Sequence, residues 1–370
     1  MKISLEKPDH VYWDIVKGIG ILCVVIGHSW MRMQNFVYSF HMPLFFFVAG
    51  YLYDERKYGD RPYVYISRRI RSIWIKYVMW EIVFILFHNI FYNMGMLYGI
   101  GIDSHIYSKT EILSEVSKAV LGCANELLIG ALWFAPVLVI SVSGLGLIIA
   151  VSRKLEYRTG SFGAKIALQL FFVTIAGTVG YILIDHQKTL SASMQIAMSV
   201  LPYIWVGYIL RNYIGDIRKY LNGVVAFVML LLVFFVSRKY LISLANGFVY
   251  PFMYILAFLG IYDCLYLARL LEKKKIFAKG FSLLGEASFL VMTLHLFIFR
   301  LIDRLYSVKY GKDWVSYYMK LPAAFDELVP VYLIFGIGIP VMIWYVYKKG
   351  VQVYMAFFHA RLMDIEKGKK

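Results

Sequence analysis

The 370-residue chain is 60% hydrophobic and 18% aromatic, against roughly 45–50% apolar content in soluble domains, which excludes an ordinary water-soluble globule. Its formal charge of +16 lies in short loops between apolar runs, so a nucleic-acid-binding face is excluded and anionic headgroups are the expected counter-charge. Cys23, Cys123 and Cys264 are odd in number and widely spaced, so neither a disulfide framework nor a metal cluster is expected.

Each bilayer crossing takes about 20 apolar residues. The apolar runs predict helices near 13–31, 37–54, 74–92, 132–151, 165–184, 194–211, 221–236, 248–269, 281–300 and 328–348. Lipid admits only helices or closed barrels, and these runs are too long for barrel strands. The expected fold class is therefore all-α, a polytopic integral membrane protein of about ten transmembrane helices. The first run lacks an A-x-A-like cleavage site and is expected to stay as a span. After the second run comes the densest basic group, Arg56, Lys57, Arg61, Arg68, Arg69, Arg71 and Lys76, and 28 of the 39 Lys and Arg fall on the side of the amino terminus. The positive-inside rule then puts both termini in the cytoplasm and the chain in the plasma membrane, with the loop from Arg300 to Lys320 as the main exception. A helical pattern over 109–128, with Ile112, Val116, Ala119, Val120 and Cys123 on one side, is expected along the outer interface. Residues 1–348 read as one transmembrane domain, and 349–370 as a basic cytoplasmic tail patterned like an interfacial helix.

Ionisable groups inside a membrane are costly and invite a functional reading. The first run holds Asp14, Lys17 and His28. Eleven residues are almost three helical turns, so Lys17 and His28 share one face about 16 Å apart along the axis. Asp14, three residues before Lys17, is placed to pair with it. Gly18, Gly20 and Gly27 on the same helix admit a close neighbour, either another backbone or a thin ligand arm. The second run opens Phe40-His41-Met42-Pro43, with a proline suited to a first helical turn and a second histidine near the outer end of the first helix.

Several stretches together resemble the membrane-bound acyltransferase 3 family. They are Lys17-x10-His28, the Gly27-His28 pair, Phe40-His41-Met42-Pro43 followed by three Phe and Ala49-Gly50, and Arg68-Arg69-Ile70-Arg71 before the third run. Leu132-Trp133-Phe134 and the segment from Ser288 to His295 are similar to later motifs of that family. The resemblance, closest to sugar O-acetyltransferases, implies ten core helices and acyl transfer from a cytoplasmic acyl-CoA to surface sugars of lipopolysaccharide, capsule, exopolysaccharide or peptidoglycan. The family's essential basic-x10-His pair falls on Lys17 and His28. Lys17 stands where relatives often carry Arg, which keeps the charge and loses the bidentate fork. Ala49 stands where a relative shows Ser, so no serine nucleophile exists there. The family's fused esterase-like domain has no counterpart in these residues, so a relay through one would take a separate chain.

On this reading acetyl-CoA is the donor, and His28 is the general base on a sugar hydroxyl. His41 either orients substrate or caps its helix. Lys17, Arg68, Arg69 and Arg71 are candidates for the CoA phosphates, with membrane anchoring as the alternative for the arginines. Asp14, Glu81, Trp133 and His295 are substrate-binding or structural candidates, with His88, Asp263 and Glu286 as further buried polar groups. The rival readings are a secondary transporter or sugar-lipid flippase, which would carry inverted repeats that this chain lacks, and a non-catalytic membrane module.

Overall fold

The computed structural model describes residues 9–97, 105–124, 126–185, 191–240, 251–311 and 325–367. Among them every regular element is a helix. In chain order these are α1 (His10–Ser29), α2 (Met31–Tyr38), α3 (His41–Tyr51), α4 (Glu55–Tyr58), α5 (Pro62–Arg69), a π-helical turn (Ile70–Trp74) and α6 (Ile75–Asn93). Next come α7 (Lys109–Val120), a 3-10 segment (Leu127–Trp133), α8 (Phe134–Thr159), α9 (Phe162–Asp185), α10 (Ala192–Ser199), α11 (Leu201–Ile209) and α12 (Gly223–Lys239). The chain ends with α13 (Phe252–Glu272), α14 (Lys275–Glu286), α15 (Ser288–Tyr310) and α16 (Val329–Lys367).

Among the described residues six helical stretches are long and apolar enough to cross a bilayer, and the bent pair α14–α15 makes a seventh if counted as one span. The all-α membrane architecture expected from composition is therefore present. About ten crossings were expected, a count that the described residues leave open, and several of the expected runs depart locally from a straight span. The run at 37–54 breaks into α2 and α3, the latter of 11 residues, and α12 has 17 residues. The run at 281–300 is an elbow of 76° between α14 and α15. Arg300 and Arg304, expected at the start of an outer loop, lie inside α15, and residues 312–324 of that loop fall outside the described residues. At the far end α16 runs unbroken through the expected domain boundary at 348.

α1 and α8 are among the most enclosed spans, while α9 and α16 are mostly peripheral. The exposed side chains of α12, such as Val224 and Phe227, are the kind of surface that lipid covers. Two crossings are close because glycine meets glycine. At α3–α11 a methyl on Gly50 would overlap the Ile204 carbonyl, and one on Gly207 would overlap that of Phe47. At α1–α14 Gly18 faces the Phe281 carbonyl and Gly285 that of Asp14. The absence of Cβ is what lets these backbones touch. Gly18 thus serves helix packing, and Gly20 and Gly27 meet the side chains of Phe45 and Tyr38.

The end of the bundle that holds the amino terminus is fastened by charge. Glu55 accepts from Lys165 Nζ at 2.6 Å, Arg153 Nη1 at 3.1 Å, and the hydroxyls of Tyr208 and Tyr213 at 2.7 Å each. Burial pushes its carboxyl up, but those hydrogen bonds and the Lys165 charge outweigh it and hold Glu55 below its ordinary range. Nearby, Arg218 joins Asp9 ahead of α1 to Glu272 at the end of α13, at 3.1 Å each. At the opposite end α7 lays Ile112, Val116 and Ala119 against Ile85 of α6. Val120 and Cys123, expected on that same face, are exposed.

Candidate active site

Asp9 caps α1 by accepting from Val11 and Tyr12 N–H, so the helix begins one turn before Asp14 and Lys17. Lys17 Nζ then lies 2.7 Å from Asp14 Oδ1, the pairing expected from an i,i+3 spacing. His28 ends the same helix in its last turn. Three helices bring histidines together there. His28 Nδ1 stands 2.8 Å from His295 Nε2 on α15, with the two rings stacked at 5.0 Å. His41 opens α3, and Tyr38 lies between, its ring 5.9 Å from that of His28 and 5.0 Å from that of His41.

Hydrogen-bond accounting assigns the protons. His295 Nδ1 is 2.7 Å from the Val291 carbonyl, which can only accept, so Nδ1 carries the hydrogen and Nε2 a lone pair. His28 Nδ1 must then donate to that lone pair, leaving His28 Nε2 unprotonated. By the same logic His41 Nδ1 donates to the Val37 carbonyl at 2.6 Å. His295 and His41 are buried while His28 is partly open. The least buried member of the cluster is thus the one whose Nε2 carries a free lone pair.

A cavity of about 240 Å³ approaches this cluster from the Lys17 end. Lys17, Arg69 and Lys76 line it together with the hydroxyls of Ser72 and Ser288, and Phe45, Ala49, Leu132, Phe134 and Met292 form apolar walls. The spacing explains the convergence. Ser288, Met292 and His295 lie at i, i+4 and i+7 on α15, and His41, Phe45 and Ala49 follow at i, i+4 and i+8 on α3. Each stripe runs from the cavity wall to a histidine, and Phe45 and Met292 sit one turn short of it. Arg69 lies over the Tyr65 ring at 4.9 Å, and its buried Nε has no partner among the described residues. A cationic mouth and an apolar throat that stops one helical turn short of the histidines suit an anionic ligand with a thin arm.

A family model described as an acyltransferase domain matches residues 10–349, nearly the whole chain. The chain belongs to the acyltransferase 3 family. No curated protein and no solved structure matches it significantly. A membrane acyltransferase needs a donor and an acceptor substrate, and in this one the residues singled out from sequence divide into two groups. Lys17 and Arg69 line the cavity, Asp14 pairs with Lys17, and His28, His41 and His295 gather beyond its Phe45 and Met292 wall. Arg68 instead donates to the Tyr58 hydroxyl at 2.9 Å, and Arg71 is exposed outside the lining.

Other candidates of the acyltransferase have structural surroundings. Glu81 accepts from Glu126 N–H at 3.2 Å, and His88 meets Glu126 Oε2 and the His105 carbonyl at 3.1 Å each while stacking on Tyr107 at 3.5 Å. Both groups therefore tie the segment before and after α7 to α6. Trp133 packs partly buried on the core beside Phe134, Glu286 pairs with Lys348, and Asp263 lies away from the cavity with no hydrogen-bond partner among the described residues. Sequence reasoning noted Lys76 only as a member of the basic group and Ser288 only as a motif end, and it did not name Ser72. The signal was available: Arg69, Ser72 and Lys76 stand at i, i+3 and i+7, one helical face that the π-turn carries into α6.

Proposed function

We propose that this membrane acyltransferase takes an acetyl group from acetyl-CoA in the cytoplasm and transfers it to a hydroxyl of a lipid-linked or cell-surface sugar. The observation that carries the reading is the unprotonated His28 Nε2 in a histidine cluster one helical turn beyond a cationic-mouthed cavity. Lys17, Arg69 and Lys76 bind the CoA phosphates, and the pantetheine arm occupies the apolar throat between Phe45, Ala49 and Met292. The acceptor approaches His28, the least buried of the three histidines, from the side away from the donor cavity. His28 Nε2 removes the hydroxyl proton as the oxygen attacks the thioester carbonyl. When the tetrahedral intermediate collapses, the C–S bond breaks and the thiolate leaves with the proton returned from Nε2. His295 keeps the other ring nitrogen pinned throughout. In this scheme residues 1–348 act as the transmembrane catalytic unit, 349–370 form a cytoplasmic tail, and the membrane is the plasma membrane.

Transfer of label from radioactive acetyl-CoA to membrane glycans, with mass spectrometry of the product, tests the scheme. His28→Ala is expected to accumulate normally, bind acetyl-CoA, and lose on the order of 100-fold or more in transfer rate. An active, folded His28→Ala protein would remove His28 from the mechanism, and a product without an acetyl-sized mass gain would remove the donor.

A further inference from the structure

A second cavity, of about 460 Å³, lies behind the elbow between α14 and α15, bounded by α14, the first turn of α1 and α16. Val11, Leu283 and Tyr345 form its apolar side, and Lys279, Lys348 and Lys349 with Ser282 and Gln352 form its polar side. Glu286 is the one acid in the lining, and Lys348 occupies it. Lys279 and Lys349 therefore face the cavity with no carboxylate of the lining left to neutralise them. We propose that this cavity binds the phosphate of an anionic phospholipid, with Lys279 and Lys349 as the charge partners and Ser282 and Gln352 as hydrogen-bond donors.

The surroundings favour a lipid over a soluble phosphate. α14 turns 76° away from α15, and its backbone is held against the first half of α1 where Gly18 and Gly285 meet it, so its remaining face is left to the surroundings of the bundle. Its first turns expose Ile276 (86%) and Phe277 (55%) just after Lys273 and Lys274, which places apolar anchors and cations where acyl chains meet headgroups. On the other wall α16 leads from Lys349 onto exposed Val346 and Met342, an apolar track for a chain whose headgroup sits among the lysines. Basic cavities between helices at the headgroup level are where anionic lipids bind specifically. A nucleotide would leave that apolar track uncovered.

Native mass spectrometry of the detergent-purified full chain, titrated with phosphatidylglycerol or phosphatidylcholine, tests the proposal without reference to acyl transfer. Wild-type protein is expected to retain phosphatidylglycerol preferentially. Lys279→Ala/Lys349→Ala should lose that retention on the order of tenfold, leave phosphatidylcholine adducts unchanged, and unfold at the same temperature. The paired Lys→Arg variant should keep the preference. Lys154→Ala/Lys219→Ala removes the same charge elsewhere and should behave as wild type. Equal loss in that control would reduce the effect to bulk charge and overturn the site. Displacement of phosphatidylglycerol by coenzyme A or adenosine 3′,5′-bisphosphate would assign the phosphate to a soluble ligand and overturn the lipid.

Discussion

In the proposed scheme His28 owes its basic nitrogen to the hydrogen bonding of its neighbour His295. Because His295 Nδ1 is committed to the Val291 carbonyl, its Nε2 can only accept, and that fixes the tautomer of His28. His295→Gln, whose amide oxygen can still accept from His28 Nδ1, should keep a larger share of activity than His295→Ala, in which His28 is free to turn or to take the other tautomer. Acetyl transfer at saturating donor reads the difference in kcat, with KM for acetyl-CoA unchanged in both. Equal losses would make His295 a packing residue. Lys17 and His28 were legible in the sequence because both sit on one helix, where spacing alone sets the shared face. His295 was legible as a motif member and not as a partner, since its neighbour depends on which helix packs against α1. Arg68 and Arg69 are adjacent and alike in sequence, and only the phase of α5 sends one to Tyr58 and the other to the cavity.

Elements were read well where a single apolar run made a single helix, as for α1, α9 and α13, and poorly where tertiary packing bent the run. The break at residues 39–40 and the elbow at Ala287 follow from contacts that lie far away in sequence, among them the glycine crossing with Gly18. Glu55 shows the same limit. It occupies the short α4 and gathers donors from α8, α9, α11 and the turn after it, so nothing in its local sequence announces a hub. Because Glu55 titrates below its ordinary value of about 4.5, the unfolded chain takes up the proton first as pH falls. Its contribution is therefore complete above that value and lost as pH drops through the folded one. Thermal unfolding in detergent should show a midpoint that declines below about pH 4.5 in the wild type. Glu55→Gln should start lower at neutral pH, because Lys165 keeps only the partly exposed Glu156 carboxylate at 3.0 Å, and should decline less steeply. Parallel curves would place the acid sensitivity elsewhere.

Across the whole molecule, composition alone separated membrane from soluble architecture, because no packing detail can hide 60% apolar residues. Orientation rests on the asymmetry of Lys and Arg. Reporters fused after Lys76 and Lys370 should report cytoplasm, and one inserted near Ser104, a position outside the described residues, should report the outer side. A cytoplasmic signal at Ser104 would reverse the donor and acceptor sides of the scheme. The Glu55 hub also bears on how the molecule comes into being. A chain made from its amino terminus releases Glu55 110 residues ahead of its ammonium partner Lys165 and 158 ahead of Tyr213. Until those arrive, the carboxylate needs water. The bundle therefore closes at that end only when the middle of the chain has been synthesised.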